Sequence, residues 1–200
     1  MAKFTKQEAL RILYSSASNY EEKLSQRRFR LIYLDKLHKS MEMEEVIFQP
    51  ESFKHLTGIQ TKISAFNFYE ACLDRRLSQK TIAFDARGNS QRKLEVIEAM
   101  PDVFYHPCWI GESLNNDIHI HAAYYVGDTK CVLSIGFRNV MNKSGDVPIT
   151  LKKQSIREVV TKECKVYAIA AKSLLQKDSA WQLTYCARDF DPAPWITDGR

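Results

Sequence analysis

Phe48-Gln49-Pro50-Glu51-Ser52-Phe53-Lys54-His55-Leu56-Thr57-Gly58-Ile59 is the stretch on which the reading of this chain turns. A strand-like run, Glu45-Val46-Ile47-Phe48, stops at a proline. The segment after it reads as a loop pinned by Phe53, Leu56 and Ile59 and closed by Gly58. It carries a cation (Lys54), an imidazole (His55) and a hydroxyl (Thr57). Loops held by a scaffold often carry function, although a tight turn can use the same residue types.

Working outward, Thr5 with Glu8 three residues later forms a capping box. Ala9, Ile12, Leu13, Ala17, Tyr20 and Leu24 then recur at helical spacing, which predicts a helix from residue 5 to about 25. Phe29 to Leu34 reads as a strand that pairs with the run ending at Phe48. Lys62 to Leu77 reads as a helix carrying Ile63, Phe66, Tyr69 and Leu73, Lys80 to Phe84 as a short strand, and Gln91 to Met100 as a helix ending before Pro101. The second half is strand-rich: 118–126 with 130–137 as a hairpin, a mixed segment over 149–160, and strands over 163–171 and 181–187. Helices first and an antiparallel sheet later give an α+β class, with N-terminal helices packed on a twisted antiparallel β-sheet. Three parts are expected: a basic helix over 1–27, an α+β domain over 28–188 and an irregular tail over 189–200.

Two hundred residues suffice for one hydrophobic core without disulfides or metal. No apolar run approaches the roughly 20 residues of a membrane span, and the first residues lack the apolar core of a signal peptide, so the expected setting is cytoplasmic. The five cysteines form no Cys-x-x-Cys pair, which argues for reduced and mostly buried thiols. No cofactor is implied. The net charge of +5 is uneven: residues 1–40 hold nine Lys/Arg against four Asp/Glu. A second cluster, Arg75, Arg76, Lys80, Arg87, Arg92 and Lys93, is interrupted only by Asp85. Such stripes suit phosphate binding, and Lys54, Arg27 and Arg28 join them as candidate RNA contacts. A solvated basic face would look the same.

Metal-free RNA cleavage takes a proton from the ribose 2′-hydroxyl, gives one to the leaving 5′-oxygen, and stabilises a charged phosphorane. Histidine suits the proton transfers, and lysine or arginine with a hydroxyl donor suits the charge. His55 with Lys54 and Thr57 could supply one half of such a set, and the helix carrying Arg92 and Lys93 behind the Gly88-Asn89-Ser90 turn the other. His119 and His121, two apart in the expected strand, share its open face with Ala123 and Tyr125, and one of them could be a second proton carrier. The same two histidines could hold a metal, but no third ligand is evident; they could also be plain solvated side chains. A buried structural imidazole is the competing account of His55.

Val46-Ile47-Phe48, then Phe53-Lys-His-Leu-Thr-Gly58, then a helix with Phe66-Asn-Phe-Tyr69, a basic segment with Lys93-Leu94, and a Val147-Pro148 step together resemble a known family. They are similar to the phage-encoded nuclease-like domains grouped with barnase, EndoU, colicin E5/D and RelE, in particular the fourth phage-type subgroup. The likeness covers roughly residues 28 to 160. It implies helices leading into a twisted antiparallel sheet of about four strands, with RNA on the open face. It implies metal-independent endoribonuclease activity leaving a 2′,3′-cyclic phosphate, with His55, Thr57 and Lys93 at the matching positions. No hydroxyl directly follows Val147-Pro148; Thr150 comes one residue after Ile149.

The function expected is therefore a mobile-element endoribonuclease acting in a bacterial host on host or defence-system RNA, a CRISPR guide RNA among the candidates. The rival is an anti-defence module that binds RNA or a ribonucleoprotein such as a CRISPR effector without cutting. A third reading, a metal-dependent hydrolase, rests on His119 and His121. A membrane partner is not expected, and the sequence does not give the oligomeric state.

Overall fold

In the computed structural model, which describes residues 4–114, 120–129, 132–140 and 145–197, the capping box at Thr5 and Glu8 opens helix α1, Lys6–Lys23. Its buried stripe, Ala9, Leu13, Ala17 and Tyr20, follows the helical repeat. The chain then forms a hairpin of β1 (Arg27–Asp35) and β2 (Ser40–Phe48), in register from Arg27 opposite Phe48 to Asp35 opposite Ser40. Side chains alternate along β1. Phe29 and Leu31 enter the core, while Arg28 and Arg30 meet Glu45 on the other face.

The remaining strands are β3 (Trp109–Glu112), β4 (Tyr124–Asp128), β5 (Leu133–Arg138), β6 (Val147–Lys152), β7 (Cys164–Ser173) and β8 (Gln182–Cys186). They join the hairpin in one sheet of eight strands among the described residues, ordered β2-β1-β7-β3-β4-β5-β6 with β8 also on β7. All the ladder pairings are antiparallel. β7 serves three partners: β1 along one side, and β3 then β8 along the other. The outer strands of this row, β2 and β6, meet where Val46 bridges Asp146, through amide bonds of 2.8 Å from Ile47 to Asp146 and from Asp146 to Glu45. The sheet thus curls back on itself. The expectation of about four strands and an open face is replaced by this larger, curled sheet. Pro148 is tolerated in β6 beside a register shift between Gly136 and Phe137 of β5, where the ladder is irregular.

Phe48, Phe104 and Phe137 meet edge-on in the core. Next to them Tyr20 of α1 packs on Phe48, Phe53 and Tyr69. A smaller cluster of Ala122, Tyr125, Ile156, Val159 and Val160 forms where helical turn α5 (Ile156–Val159) covers Tyr125. Hence the face expected to be open beside Tyr125 is partly closed. The expected alternation over 118–126 holds only from Tyr124, where β4 begins; Ala122 and Tyr125 share one cluster.

Between the hairpin and the sheet lie three short helices: α2 (Pro50–Thr57), α3 (Ala65–Leu73) and α4 (Asn89–Leu94). The expected helix over 62–77 is shorter, capped by Ser64; its core face is Phe68, Tyr69 and Cys72, leaving Phe66 exposed. The strand expected at 80–84 reduces to one bridge, Gln60 with Ala83. The helix expected over 91–100 is α4 followed by a 3₁₀ segment, Ile97–Phe104, with Pro101 inside it. In the tail a short turn, Ala193–Trp195, lies against β1, where the Trp195 carbonyl accepts from the buried Arg30. Of the described cysteines, Cys72, Cys108 and Cys164 are buried, Cys186 is exposed, and none is in a disulfide.

Candidate active site

The segment read as a loop after Phe48 is helix α2. The proline that ends β2 also sits in the first turn of α2, where its missing amide costs nothing. Phe53 and Leu56, three apart, are both buried. Gly58 ends the helix in the left-handed region, at φ +66°, a conformation that favours glycine. A Cβ there would come within 2.9 Å of the Lys93 side chain. Ser90, fully buried at the start of α4, donates to the Gly58 carbonyl at 2.6 Å. Lys93 donates to the His55 carbonyl at 2.9 Å. These bonds tie the end of α2 to α4 and satisfy carbonyls that a helix end leaves unpaired.

The α2 face carrying His55 looks onto a cavity of about 400 Å³ lined by Glu51, Ser52, His55, His121, Arg138 and the Val147–Ile149 part of β6. His55 and His121 therefore share one cleft. A wider depression of about 750 Å³ is lined by Arg87, Arg92, Lys93, Thr150, Lys152 and Lys153. Ile120 lines both, so the imidazole cleft opens beside a strongly cationic trough.

Partial burial, then Lys54, Lys93 and Arg138 in that order, hold the His55 imidazole below its ordinary pKa. It is therefore largely neutral at pH 7, with an electron pair available to accept a proton. Around the trough, burial would raise the Asp85 carboxyl, but amide bonds from Arg87, Asn89 and Ser90 outweigh it and hold the group below the usual carboxylate range. Asp85 thus anchors the turn that presents Arg87 and Arg92. In the trough Thr150 is buried, with its hydroxyl unpartnered.

Several expected contacts sit elsewhere. Thr57 is fully buried, donating to the Lys54 carbonyl and accepting from the Ile59 amide. It finishes α2, and its hydroxyl is not placed to meet a phosphate. Lys54 turns to the Thr61 and Ile63 carbonyls. Arg28 is held by Glu45 on the neighbouring strand. Arg27 lines a separate pocket with Glu21 and Lys172. Arg76 pairs with Asp74, and Arg75, Arg76 and Lys80 are exposed outside the residues lining the cleft and the trough. His119 lies outside the described residues, so the His-x-His pair is not placed. Among the described residues no group of three or more His, Cys, Asp or Glu is arranged to hold a metal ion, and no helix is long and apolar enough to cross a membrane.

Arg138 was not anticipated. Strand alternation alone places it opposite the inward Phe137, but its meeting with His55 depends on how β5 and β6 pack against α2. Lys152 and Lys153, at the end of β6, also line the trough; their adjacency at a strand end is the sequence signal for them.

Comparison with curated proteins gives no match, and neither does comparison with solved structures. A family model does match, over residues 12–186, beyond the 28–160 that carries the motif likeness and taking in most of α1 together with β7 and β8. With that extent of match, and an α+β curled sheet consistent with it, this chain belongs to the phage-Barnase-EndoU-ColicinE5/D-RelE like nuclease 4 family.

Proposed function

We propose that the chain is a metal-independent endoribonuclease whose reaction takes place in the cleft between α2 and β6. The observation that carries this reading is the convergence of His55, His121 and Arg138 on one cavity, opening onto the Arg87–Arg92–Lys93 trough. RNA is the substrate this set suits, because the 2′-hydroxyl supplies the nucleophile within the strand.

His55, kept neutral by burial and three cations, accepts the 2′-hydroxyl proton as that oxygen attacks phosphorus. His121, protonated, gives its proton to the departing 5′-oxygen, and the products are a 2′,3′-cyclic phosphate and a free 5′-hydroxyl. Arg138 faces the charge that builds on the phosphorane, where a fixed cation is most effective. Lys93 brings a second positive charge to that side while holding the end of α2 through the His55 carbonyl. Arg87, Arg92, Lys152 and Lys153 take the flanking phosphates, which makes binding steeply salt-dependent. Host RNA, or the RNA of a defence system such as a CRISPR guide, is the target class that fits a phage-type family.

The test is incubation of end-labelled structured RNA in EDTA with the wild type, His55→Ala and His121→Ala. Cleavage that persists in chelator, leaves cyclic phosphate and falls in both variants supports the reading. RNA binding without product, unaltered by either substitution, would replace it with a binding module. Activity lost in EDTA and restored by zinc or manganese would replace it with a metal-dependent hydrolase.

A further inference from the structure

A further pocket, of about 400 Å³, lies at the end of the curled sheet where β7 begins, and the nuclease reading makes no use of it. Its lining comes from the β1–β2 hairpin, β3, the start of β4 and the approach to β7. The pocket exists because β7 pairs with β1 and β3 on opposite sides, and those two strands part beyond the start of β7. It shares no lining residue with the cleft or the trough.

Its chemistry is opposite to theirs. Asp35, Glu44 and Glu112 bring three carboxyl groups to the pocket, against Lys162 and the His38 imidazole, which pairs with Asp35 at 2.5 Å. Tyr33 and Tyr124 contribute aromatic rings. The Tyr124 residue is only 7% exposed. Its hydroxyl is shut off from solvent and meets no hydrogen-bond partner of good geometry, although the Asp146 and Glu44 carboxyls are close by. The hydroxyl and these two carboxyls form a buried polar network beside the pocket. Leu37 stands on the rim, 72% exposed, next to the acidic mouth.

We propose that this pocket binds a guanidinium group, carried by an arginine side chain in an exposed segment of a partner protein. A guanidinium is planar, can pair with two carboxylates at once and stacks on tyrosine faces; Glu44 and Glu112 offer the first kind of contact and the Tyr33 ring the second, the Tyr124 ring being stacked on Phe137. Leu37 gives the arginine's neighbours an apolar surface to cover, which a free amine would not use. Charge complementarity also separates the occupant from RNA, which the same carboxylates repel.

The Glu44 carboxyl supplies an independent handle. Burial, then Asp146 and Glu42, push it up to about 7. The groups facing it are Glu42 on its own strand, Tyr33 and Asp35 with His38 from β1 and its turn, Glu112 from β3, Tyr124 from β4, Asp146 ahead of β6, and Lys162 before β7. A bound cation requires the ionised form, so affinity should rise between pH 6 and pH 8.

The experiment uses the full chain and an acetylated, amidated peptide Gly-Leu-Arg-Gly, with the citrulline peptide as its uncharged counterpart. Binding is followed by NMR shifts of the pocket residues. The arginine peptide should bind with a Kd on the order of 1 mM, and about tenfold more tightly than the citrulline peptide. Glu112→Gln and Glu44→Gln should each weaken it by about tenfold, without loss of the cooperative melting transition and with RNA cleavage unchanged. Absence of saturable binding, equal affinity for arginine and citrulline, or indifference to both substitutions would each overturn the proposal. An arginine peptide that binds no better than ethylguanidinium would overturn the choice of a protein partner.

Discussion

The α2 cleft and the pocket at the start of β7 apply the same physics with opposite signs. In the cleft, burial and three cations hold the His55 imidazole toward its neutral form. In the pocket, burial and two carboxylates hold Glu44 toward its neutral form. Concentrating like charges costs folding free energy, and regions that bear this cost are candidate functional sites. They differ in construction. Helices and strand ends pinned by Ser90 and Lys93 shape the cleft, whereas strands of the sheet and their turns form most of the pocket. The cleft should therefore respond to backbone changes around α2, and the pocket chiefly to changes of charge.

The largest expected separation is in RNA cleavage. His55→Ala should lower the rate by about 10²–10⁴-fold, the usual worth of a general acid or base, while Glu112→Gln in the pocket leaves it unchanged. Single-turnover rates on labelled RNA decide this. A comparable loss from both substitutions would mean that the two regions are one functional unit.

Arg138→Ala should lower the rate by about 10²-fold and also move its pH dependence. Arg138 is one of the cations that depress His55. Without it the imidazole titrates closer to its ordinary value, and the neutral base is lost at a higher pH on acidification. The acidic limb of kcat/KM should thus shift upward in pH. A rate loss with the limb unmoved would leave Arg138 as a phosphate contact with no influence on His55.

Glu44→Gln is the mirror experiment, read as stability. A carboxyl raised to about 7 in the folded state contributes stability that is full below its unfolded pKa of roughly 4.5 and is lost as pH rises through 7. The glutamine variant lacks this loss. It should match the wild type at pH 4 and be more stable at pH 8 by about 1–2 kcal/mol, discounted for partial solvent screening. Urea unfolding at the two pH values checks it; equal stability at pH 8 would show that Glu44 is better solvated than its neighbours suggest.

Local patterns carried most of what was legible in the sequence. The Thr5–Glu8 box, the stripe through Tyr20 and the hairpin ending at Phe48 depend on neighbours in the chain, and each has its counterpart in the structure. The seating of β7 between β1 and β3 does not: Arg27 pairs with Ser173, and no local signal specifies that partner. In the candidate site, His55 stood out by residue type, and its sharing of a cleft with His121 came from packing. Thr57 stood out in the same way, yet helical geometry turned it into the core. The loop reading failed for an identifiable reason. Pro50 ends a strand and starts a helix equally well, and the three-residue spacing of Phe53 and Leu56 was the cue for the helix.

The smallest predicted effect tests that revised reading of Gly58. As the left-handed terminus of α2, it should resist a side chain for conformational reasons: Gly58→Ala should cost about 1 kcal/mol. The nearest atom to a new Cβ is the Lys93 Cδ at 2.9 Å, on a flexible chain that can move, and the Ser90 backbone is 3.4 Å away. The steric part should therefore appear as displacement of Lys93 from the His55 carbonyl and add little to the unfolding free energy. With that cation moved off, the cleavage rate should fall by a few-fold while guanidinium binding at the β7 pocket stays the same. A melting temperature equal to the wild type would mean that α2 can end without the left-handed residue, and the coupling of α2 to α4 would then rest on Ser90 alone.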